Sequence, residues 1–151
     1  MSLDLEQLTL SLSQARQQSS PQQILDLIPY SSFIGAQAKV LKADSENVLY
    51  WLERRASNIG NPSLPAIHGG VIGGFLELSA SIEVLYTLDV TVVPKVVDFS
   101  LDYLRPGRYK TIYANCTVLR QGKKLVNVTA TAWQDNPETP IATARCHFLI
   151  S

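Results

Sequence analysis

Near the start of the chain, apolar residues recur at the spacing of one helix face. They are Leu5, Leu8, Leu12 and Ala15. Asp4 followed by Gln7 has the pattern of a capping box, and Ser20-Pro21 marks a second helix start, which Pro29 is expected to end. The first 28 residues are therefore predicted to form two short helices, within a helical arm that covers residues 1–34.

From about Gly35 onward, the pattern becomes the alternation that is typical of β-strands. Residues 36–43 and 47–54 are predicted to form a hairpin that turns at Asp44-Ser45-Glu46, and residues 56–67 to form a loop. Further strands are predicted after Pro94, over about 97–103, 109–120, 125–134 and 141–150. Short connections imply antiparallel neighbours, so a helix packed on this sheet gives a two-layer α+β domain over residues 35–151.

The segment from His68 to Tyr86 is predicted to be a long helix, apolar nearly all round and therefore buried nearly all round. Glu77 lies near its middle. The positions one turn away from Glu77 all carry small residues, namely Gly73, Gly74, Ala80 and Ser81. Glycine inside a helix costs about 1 kcal/mol relative to alanine, so two adjacent glycines indicate that something approaches the helix closely. These residues predict a trough around the Glu77 carboxylate.

A carboxylate in the middle of a buried helix is costly unless it is paired or partly hydrated. The predicted helix carries no Lys or Arg that could pair with Glu77. One interpretation makes Glu77 a general base or nucleophile at the bottom of the trough. The other makes it a structural carboxylate. Glu83, about 120° around the helix, is expected to be a hydrated charge near the helix end.

His68-Gly69-Gly70 stands at the predicted helix start, where backbone N–H groups face outward ahead of the positive end of the helix dipole. Such groups suit a carbonyl oxygen that gains negative charge. His68 either orients this segment or acts as a general base. Gly69 and Glu77 lie about 12 Å apart along one helix, so they cannot both reach one carbonyl. Two antiparallel helices around a two-fold axis would bring Gly69 of one chain to Glu77 of the other.

Composition narrows the classes of function. The 151 residues fit one domain, and 13 basic residues balance 13 acidic ones, which argues against nucleic-acid binding as the main function. Charged residues are only 17%, against about 25% in a typical soluble domain, which indicates surface hidden in a homo-oligomer. No signal peptide or membrane span is apparent, and Cys116 and Cys146 are expected to be reduced, so we expect a cytoplasmic protein.

Other kinds of chemistry find little support. The two histidines and two distant cysteines lack metal-ligand spacing, so neither a metal nor an organic cofactor is expected. No nucleophile-elbow or phosphate-loop motif is present. His147 alternates with its neighbours in a predicted strand and is expected to be a packed or hydrated strand residue.

Four segments together resemble one known family. They are His68-Gly69-Gly70-Val71-Ile72, Leu76-Glu77, Asp102-Tyr103-Leu104-Arg105-Pro106-Gly107 and Val118-Leu119-Arg120-Gln121-Gly122-Lys123-Lys124. In order and spacing they resemble the hotdog-fold acyl-CoA thioesterases of the PaaI-like, phenylacetate-pathway type, over about residues 36–150. The resemblance implies a long helix wrapped by a curved antiparallel sheet, a dimer or dimer of dimers, and hydrolysis of an acyl-coenzyme A thioester.

The resemblance also implies roles for individual residues. It implies that Glu77 is the catalytic carboxylate and that Ser81 supplies a supporting hydroxyl. It also implies that the backbone N–H of Gly69, next to Gly70, polarises the thioester carbonyl. Many members carry Asn six residues before the histidine, where this chain has Pro62, with Asn61 one place earlier. The basic residues at strand ends and turns are expected either to contact the phosphates of coenzyme A or to be hydrated turn charges. They are Arg105, Arg120, Lys123 and Lys124.

Two alternative functions stay open. One is a hotdog hydratase or dehydratase that acts on a 3-hydroxyacyl or enoyl thioester, although its histidine lies farther from the acid than nine residues. The other is a non-catalytic acyl-binding or structural hotdog protein, which would not need an ionised Glu77. The sequence predicts no particular acyl group, because the pocket walls come from several strands and from a partner subunit.

Overall fold

The computed structural model describes residues 3–42 and 47–151, so the predicted turn at Asp44-Ser45-Glu46 lies outside the described residues. The helices are α1 (Leu5–Gln17), α2 (Pro21–Leu25), α3 (Pro29–Ile34) and α4 (Gly69–Thr87). The strands are β1 (Ala36–Val40), β2 (Val48–Leu52), β3 (Ile59–Asn61), β4 (Ala66–Ile67), β5 (Lys95–Tyr103), β6 (Ile112–Gln121), β7 (Leu125–Trp133) and β8 (Ala142–Leu149).

The two short helices predicted for the first 28 residues are confirmed as α1 and α2, and the arm also contains a third helix, α3, at residues 29–34, which was not predicted. The capping box at Asp4 and Gln7 is confirmed, since each side chain meets the other residue's backbone N–H. The expectation that Pro29 ends the second helix is wrong, because α2 already ends at Leu25 and Pro29 is the first residue of α3. Proline fits the first helical position because its missing N–H would have no partner there. The arm therefore contributes a further short helix, α3, which carries exposed aromatic residues.

A six-stranded antiparallel sheet in the order β1-β2-β6-β7-β8-β5 packs against α4. This arrangement confirms the predicted layout of two strands, a long helix and four strands. Strand β5 forms one edge of the sheet, and a register shift between Val96 and Asp98 interrupts its pairing with β8. Beyond this shift, Phe99 and Leu101 face the helix and are half-buried, while Val97 is exposed.

The register of the long strands gives the sheet two opposite ends. The Tyr103 end contains Tyr103, Ala142 and Ala132, which are register partners across β5, β8 and β7. The Lys95 end contains Lys95, Leu149 and Leu125. Strands of this length separate the two ends by about 25 Å. Helix α4 begins at the Tyr103 end, and its later residues Ala80 and Val84 pack against Val126 and Phe148 near the Lys95 end.

The arm shares the core of the domain. Its buried apolar residues, Leu8, Leu12, Ala15, Ile24, Leu25 and Ile34, belong to the same cluster as the side chains of α4 and the sheet. Arg16 also closes the end of α4, because its guanidinium donates to the carbonyls of Leu85 (2.6 Å) and Leu88 (2.7 Å). Free carbonyls at a helix C-terminus favour such a cation, so the arm supports the helix that carries Glu77.

Residues 56–67 were predicted to be a loop, and they contain more structure than that. A turn of 3-10 helix at Ala56–Asn58 precedes β3, which pairs with β4 in a small two-stranded sheet. The Asn58 carbonyl accepts a hydrogen bond from the backbone N–H of His68 at 2.9 Å. The 3-10 turn, together with the small sheet that follows it, therefore fixes the residue that immediately precedes α4.

Within the described residues, α4 is also the one helix that is long and apolar enough to cross a membrane by length and composition. In this fold 72% of its apolar window is buried against the arm and the sheet. That degree of burial is typical of the core helix of a folded domain.

Candidate active site

His68 caps the start of α4. Its Nδ1 accepts a hydrogen bond from the Gly70 N–H at 2.9 Å, so the Gly70 N–H is already occupied. Gly69 occupies the first helical position, where a backbone N–H has no acceptor within the helix. Of the two glycine N–H groups that the sequence singled out, the one of Gly69 is therefore better placed to meet a ligand.

The hydroxyl of Tyr103 fixes this first turn from the neighbouring strand. It donates to the Gly69 carbonyl at 2.7 Å, which links the end of β5 to the start of α4. The space beside Gly69 is narrow, because a methyl group there would stand 2.9 Å from the Tyr103 oxygen. The peptide between Gly69 and Gly70 is thus held by His68 on one side and by Tyr103 on the other.

Glu77 lies two turns further along α4 and is half-buried, while Ala80 and Ser81 beside it are buried. The two adjacent glycines about one turn before Glu77 are each approached by a different side chain. A methyl group on Gly73 would stand 3.0 Å from a Leu101 methyl of β5, and one on Gly74 would stand 2.5 Å from the Tyr30 hydroxyl of α3. The close approach that the two glycines predict is therefore observed, with β5 on one side and the arm on the other, and an open trough around Glu77 stays a prediction.

Two cysteines of the sheet interact electrostatically with the two glutamates of α4. Burial, together with the negative charge of Glu77, raises the pKa of Cys146 from 9.0 to about 12. Burial, the charge of Glu83 and the thiol of Cys146 also raise the pKa of Cys116 well above its ordinary value. Both residues are free cysteines, and at neutral pH both are thiols. Neither supplies a thiolate nucleophile beside Glu77.

Glu83 was expected to be a hydrated charge at the helix end, and this expectation is wrong. Its side chain is only 7% exposed, and its Oε2 accepts a hydrogen bond of 2.6 Å from the hydroxyl of Tyr50 on β2. Burial, followed by the charge of Glu83, raises the pKa of Tyr50 well above 10.0. The helix extends past Glu83 and Arg16 covers its end, so Glu83 faces the sheet and not solvent.

Within one chain, the four basic residues that were expected to contact coenzyme A lie in two separate places. Arg120, Lys123 and Lys124 line one groove, together with Asn127, at the hairpin between β6 and β7. This hairpin belongs to the Lys95 end of the sheet. Arg105 follows β5 at the Tyr103 end, where its guanidinium donates to the Pro140 carbonyl at 2.6 Å. The hairpin cations form a group, and Arg105 supports a loop.

The remaining residues considered in the sequence have local partners. Asn61 is exposed at the end of β3, and its side-chain oxygen accepts from the Ser63 N–H at 3.0 Å. His147 is half-buried on β8, and its Nδ1 lies 3.6 Å from a carboxylate oxygen of Asp98. Among the residues that the structure describes, no three His, Cys, Asp or Glu side chains are grouped so that they could hold a metal ion.

Sequence reasoning did not identify three residues that lie near Glu77 or the start of α4. They are Tyr30, Asn58 and Tyr103, which reach Gly74 or the start of α4 from distant elements. The sequence places Tyr103 only at the end of a predicted strand and indicates no contact with α4. The sequence feature that could have indicated Tyr30 was Gly74, because a glycine inside a helix indicates a close neighbour. The sequence does not identify which residue that neighbour is.

Comparisons with known proteins agree with this architecture. A family model described as the thioesterase superfamily matches residues 64–141. No curated protein matches the chain. Among solved structures, a protein from Chromobacterium violaceum is 37% identical, with a TM-score of 0.72, over 93% of this chain and 96% of its own.

More distant structures share the fold. A phenylacetic acid degradation-related protein from Ralstonia eutropha has 18% identity and a TM-score of 0.73, over 93% of this chain and 99% of its own. The PaaI protein of the E. coli phenylacetic acid degradation operon has 14% identity and a TM-score of 0.70, over 95% and 98%. These similarities confirm the hotdog fold, in which a curved antiparallel sheet wraps a long helix. The family model spans the chain from before the start of α4 to the residue that precedes β8, which is more than half of the 151 residues, and the chain belongs to the thioesterase superfamily.

Proposed function

We propose that the protein is an acyl-CoA thioesterase. Membership of the thioesterase superfamily supports thioester hydrolysis. The observation that carries the finer proposal is a half-buried Glu77 that lies among small residues on an otherwise buried helix. A carboxylate that is neither fully hydrated nor fully buried can act on a substrate that enters the trough.

In the general-base form of the reaction, Glu77 takes a proton from water while the water oxygen attacks the thioester carbonyl carbon. The carbonyl gains negative charge, and its collapse breaks the carbon–sulfur bond. Coenzyme A leaves as a thiolate and receives a proton, and the acyl group leaves as a carboxylic acid. In the nucleophilic form, the Glu77 carboxylate attacks the carbonyl carbon and displaces coenzyme A as a thiolate, and water then hydrolyses the resulting anhydride and regenerates Glu77. Both forms use the same residue and give the same products.

The backbone N–H of Gly69 is the proposed donor to the developing oxyanion. Gly70 cannot share this role while its N–H donates to His68, so His68 acts here by orienting the helix start. Gly69 and Glu77 of one chain are about 12 Å apart, so we propose that a partner chain supplies the second group. The exposed edge strand β5 supports a dimer, because Val96, Val97 and Tyr103 are large side chains left at the surface of one chain.

The groove lined by Arg120, Lys123 and Lys124 is the proposed site for the phosphates of coenzyme A. The Arg105 guanidinium is tied to a carbonyl, so we assign it to loop structure. Asn61 is engaged in its own turn and receives no catalytic role. Ser81, one turn past Glu77, is proposed to support the carboxylate. We further propose that the enzyme needs no metal or organic cofactor, does not bind nucleic acid or cross a membrane, and acts in the cytoplasm.

The first experiment compares the wild type with Glu77→Gln. Glutamine keeps nearly the same shape and removes the charge, so the protein should fold normally and lose about 10²-fold or more in kcat. Glu138→Gln, in the exposed turn before β8, is the matched control and should keep wild-type activity.

The substrate panel separates the alternatives. Acetyl-, hexanoyl- and benzoyl-CoA report hydrolysis through released thiol, and crotonyl-CoA reports hydration of an enoyl thioester. Hydration without hydrolysis would identify a hydratase. A folded Glu77→Gln protein that hydrolyses every acyl-CoA at the wild-type rate would refute the catalytic role of Glu77.

Sedimentation at micromolar concentration tests the composite site. We expect a dimer or larger assembly of the 16.6 kDa chain. Full activity in a sample that contains only the monomer would contradict the proposal that two chains form one site.

A further inference from the structure

The arm places an aromatic ring directly against α4, one turn before Glu77. A methyl group on Gly74 would stand 2.5 Å from the Tyr30 hydroxyl oxygen and 3.1 Å from Cε1 of the ring. Only glycine therefore lets Tyr30 lie where it does. Glu77 follows Gly74 by three positions, which corresponds to about 4.5 Å along the helix axis. The ring is close to the carboxylate without belonging to the catalytic group.

Tyr30 and its neighbour Phe33 remain exposed although they are aromatic. Tyr30 is 41% exposed and Phe33 is 76% exposed. Their ring centroids are 6.3 Å apart with planes inclined by 27°, so they form a stacked pair. Contiguous exposed apolar surface is a feature of ligand-binding and partner-binding sites.

The aromatic pair sits on a helix that is held rigidly. Arg55 donates to the Ser32 carbonyl at 2.6 Å, and the Asn58 side chain donates to the Ile34 carbonyl at 2.7 Å. Asn58 also accepts from the His68 N–H, so one buried residue supports both α3 and the start of α4. A binding surface needs such support, because a ligand gains little from side chains that it must first order.

The position of the pair relative to Glu77 indicates which part of a substrate it meets. The cationic groove at Arg120 belongs to the Lys95 end of the sheet, where the later part of α4 packs. Tyr30 contacts Gly74, on the opposite side of Glu77 along the helix. A thioester held at Glu77 with its coenzyme A moiety toward the cations would direct its acyl group toward Tyr30.

We infer that Tyr30, with Phe33 stacked on it, forms a wall of the acyl pocket and makes the enzyme favour acyl groups that are long enough to reach it. This inference rests on the proposed thioesterase function. An acetyl group ends one carbon beyond the carbonyl and falls short of the ring, whereas a hexanoyl chain covers it. Tyr30 is thus a specificity-determining residue, and Glu77 still performs the chemistry.

Kinetics with two substrates test this assignment. In Tyr30→Ala we expect kcat/KM for hexanoyl-CoA to fall about tenfold, mainly through KM, while kcat/KM for acetyl-CoA changes less than about twofold. Tyr30→Phe keeps the ring and should stay within about twofold of wild type for both substrates. Phe33→Ala should give a smaller loss, again confined to hexanoyl-CoA.

Tyr113→Ala provides a matched control. Tyr113 stacks on Trp133 with nearly the same geometry, 6.2 Å and 27°, but it alternates with buried Ile112 and Ala114 and so lies on the outer face of the sheet. It should not change the preference between the two substrates. An equal loss for acetyl- and hexanoyl-CoA in Tyr30→Ala, or no loss for either, would overturn the inference. So would a Tyr30→Phe protein as impaired as Tyr30→Ala, or a Tyr30→Ala protein that sediments as a monomer.

Binding of S-hexyl-coenzyme A, a thioether that cannot be hydrolysed, separates this inference from the proposed function. Tyr30→Ala should bind the thioether about tenfold more weakly than the wild type and should bind coenzyme A itself equally well. If the wild type hydrolyses no acyl-CoA but shows this difference in binding, the thioesterase proposal fails and the acyl wall stands. If the wild type hydrolyses hexanoyl-CoA and the two proteins bind the thioether equally, the wall fails and the thioesterase proposal stands.

Discussion

The buried hydrogen bond between Tyr50 and Glu83 provides a quantitative test of how α4 is held. Tyr50 is fully buried, and its hydroxyl donates to Glu83 at 2.6 Å beneath the helix. The substitution Tyr50→Phe removes this hydroxyl and keeps the ring, so it leaves no large cavity. Any loss of stability then reports the hydrogen bond and not the packing of the core.

The structure sets the expected size of the effect. A hydrogen bond to a charged group contributes about 1.5–3 kcal/mol to the free energy of unfolding, and Glu83 is too buried for water to replace the donor freely. For a chain of this length, 1 kcal/mol shifts the melting temperature by about 2–4 °C. Tyr50→Phe should therefore lower the melting temperature by about 3–12 °C.

The assay is equilibrium urea unfolding together with calorimetry, at one protein concentration because oligomers are stabilised by mass action. Tyr113→Phe, on the outer face of the sheet, is the control and should stay within about 0.5 kcal/mol of the wild type. Activity well below the melting temperature should persist in Tyr50→Phe, since Glu77 is untouched.

A double-mutant cycle with Glu83→Gln decides whether the two side chains interact. We expect the double variant to be more stable than the sum of the single losses predicts. Purely additive losses, or a Tyr50→Phe protein as stable as the wild type, would show that this bond does not hold α4 in place.

Three further predictions concern pH, the arm and metals. In the folded state the pKa of Cys146 is raised from 9.0 to about 12, and the pKa values of Tyr50 and Cys116 are also raised. The stabilising contribution of these three groups is therefore complete below about pH 9 and is lost as the pH rises toward 12. The urea midpoint should fall across this range, and a midpoint that does not change with pH would contradict the assignment. Arg16→Ala should lower the free energy of unfolding by about 1–3 kcal/mol through loss of the bonds that close α4, measured in urea beside the exposed control Arg145→Ala; equal stability of the two variants would count against it. Dialysis against a chelator should leave activity intact, and activity lost on dialysis but restored by one divalent cation would reveal a metal requirement.

Much of the fold could be predicted because it follows from local patterns. The capping box at Asp4 and Gln7, the long apolar helix and the alternating strands all depend on residues close together in the sequence. Pro29 shows where local reasoning fails. A proline both ends a preceding helix and fits the first turn of a following one, and only the packing of Ser31 and Ile34 decides that α3 forms. Strands as short as β3 and β4 are likewise defined by their pairing.

The candidate site was predicted in part, for a related reason. Glu77, Gly69 and the small residues around Glu77 lie on one helix, so their spacing is readable from the sequence. Tyr30 and Tyr103 reach that helix from elements 44 residues before Gly74 and 34 residues after Gly69, and no period links them to it. The four cations looked like one group because all lie at strand ends, but the register of the sheet places them at opposite ends.

Comparison of Glu77 with Glu83 shows why the rotation of α4 about its own axis matters for the proposed reaction. The two carboxylates are six residues apart, so a helix places them about 120° apart around its axis. Glu77 is half-buried beside Ala80 and Ser81, and Glu83 accepts the hydrogen bond from Tyr50. A rotation of α4 that exposed Glu83 would turn Glu77 to another direction, and it would break the Tyr50 bond, the Arg16 closure and the bond from Tyr103 to the Gly69 carbonyl together. Three contacts that need not touch a substrate therefore fix the direction of the carboxylate proposed to act on it.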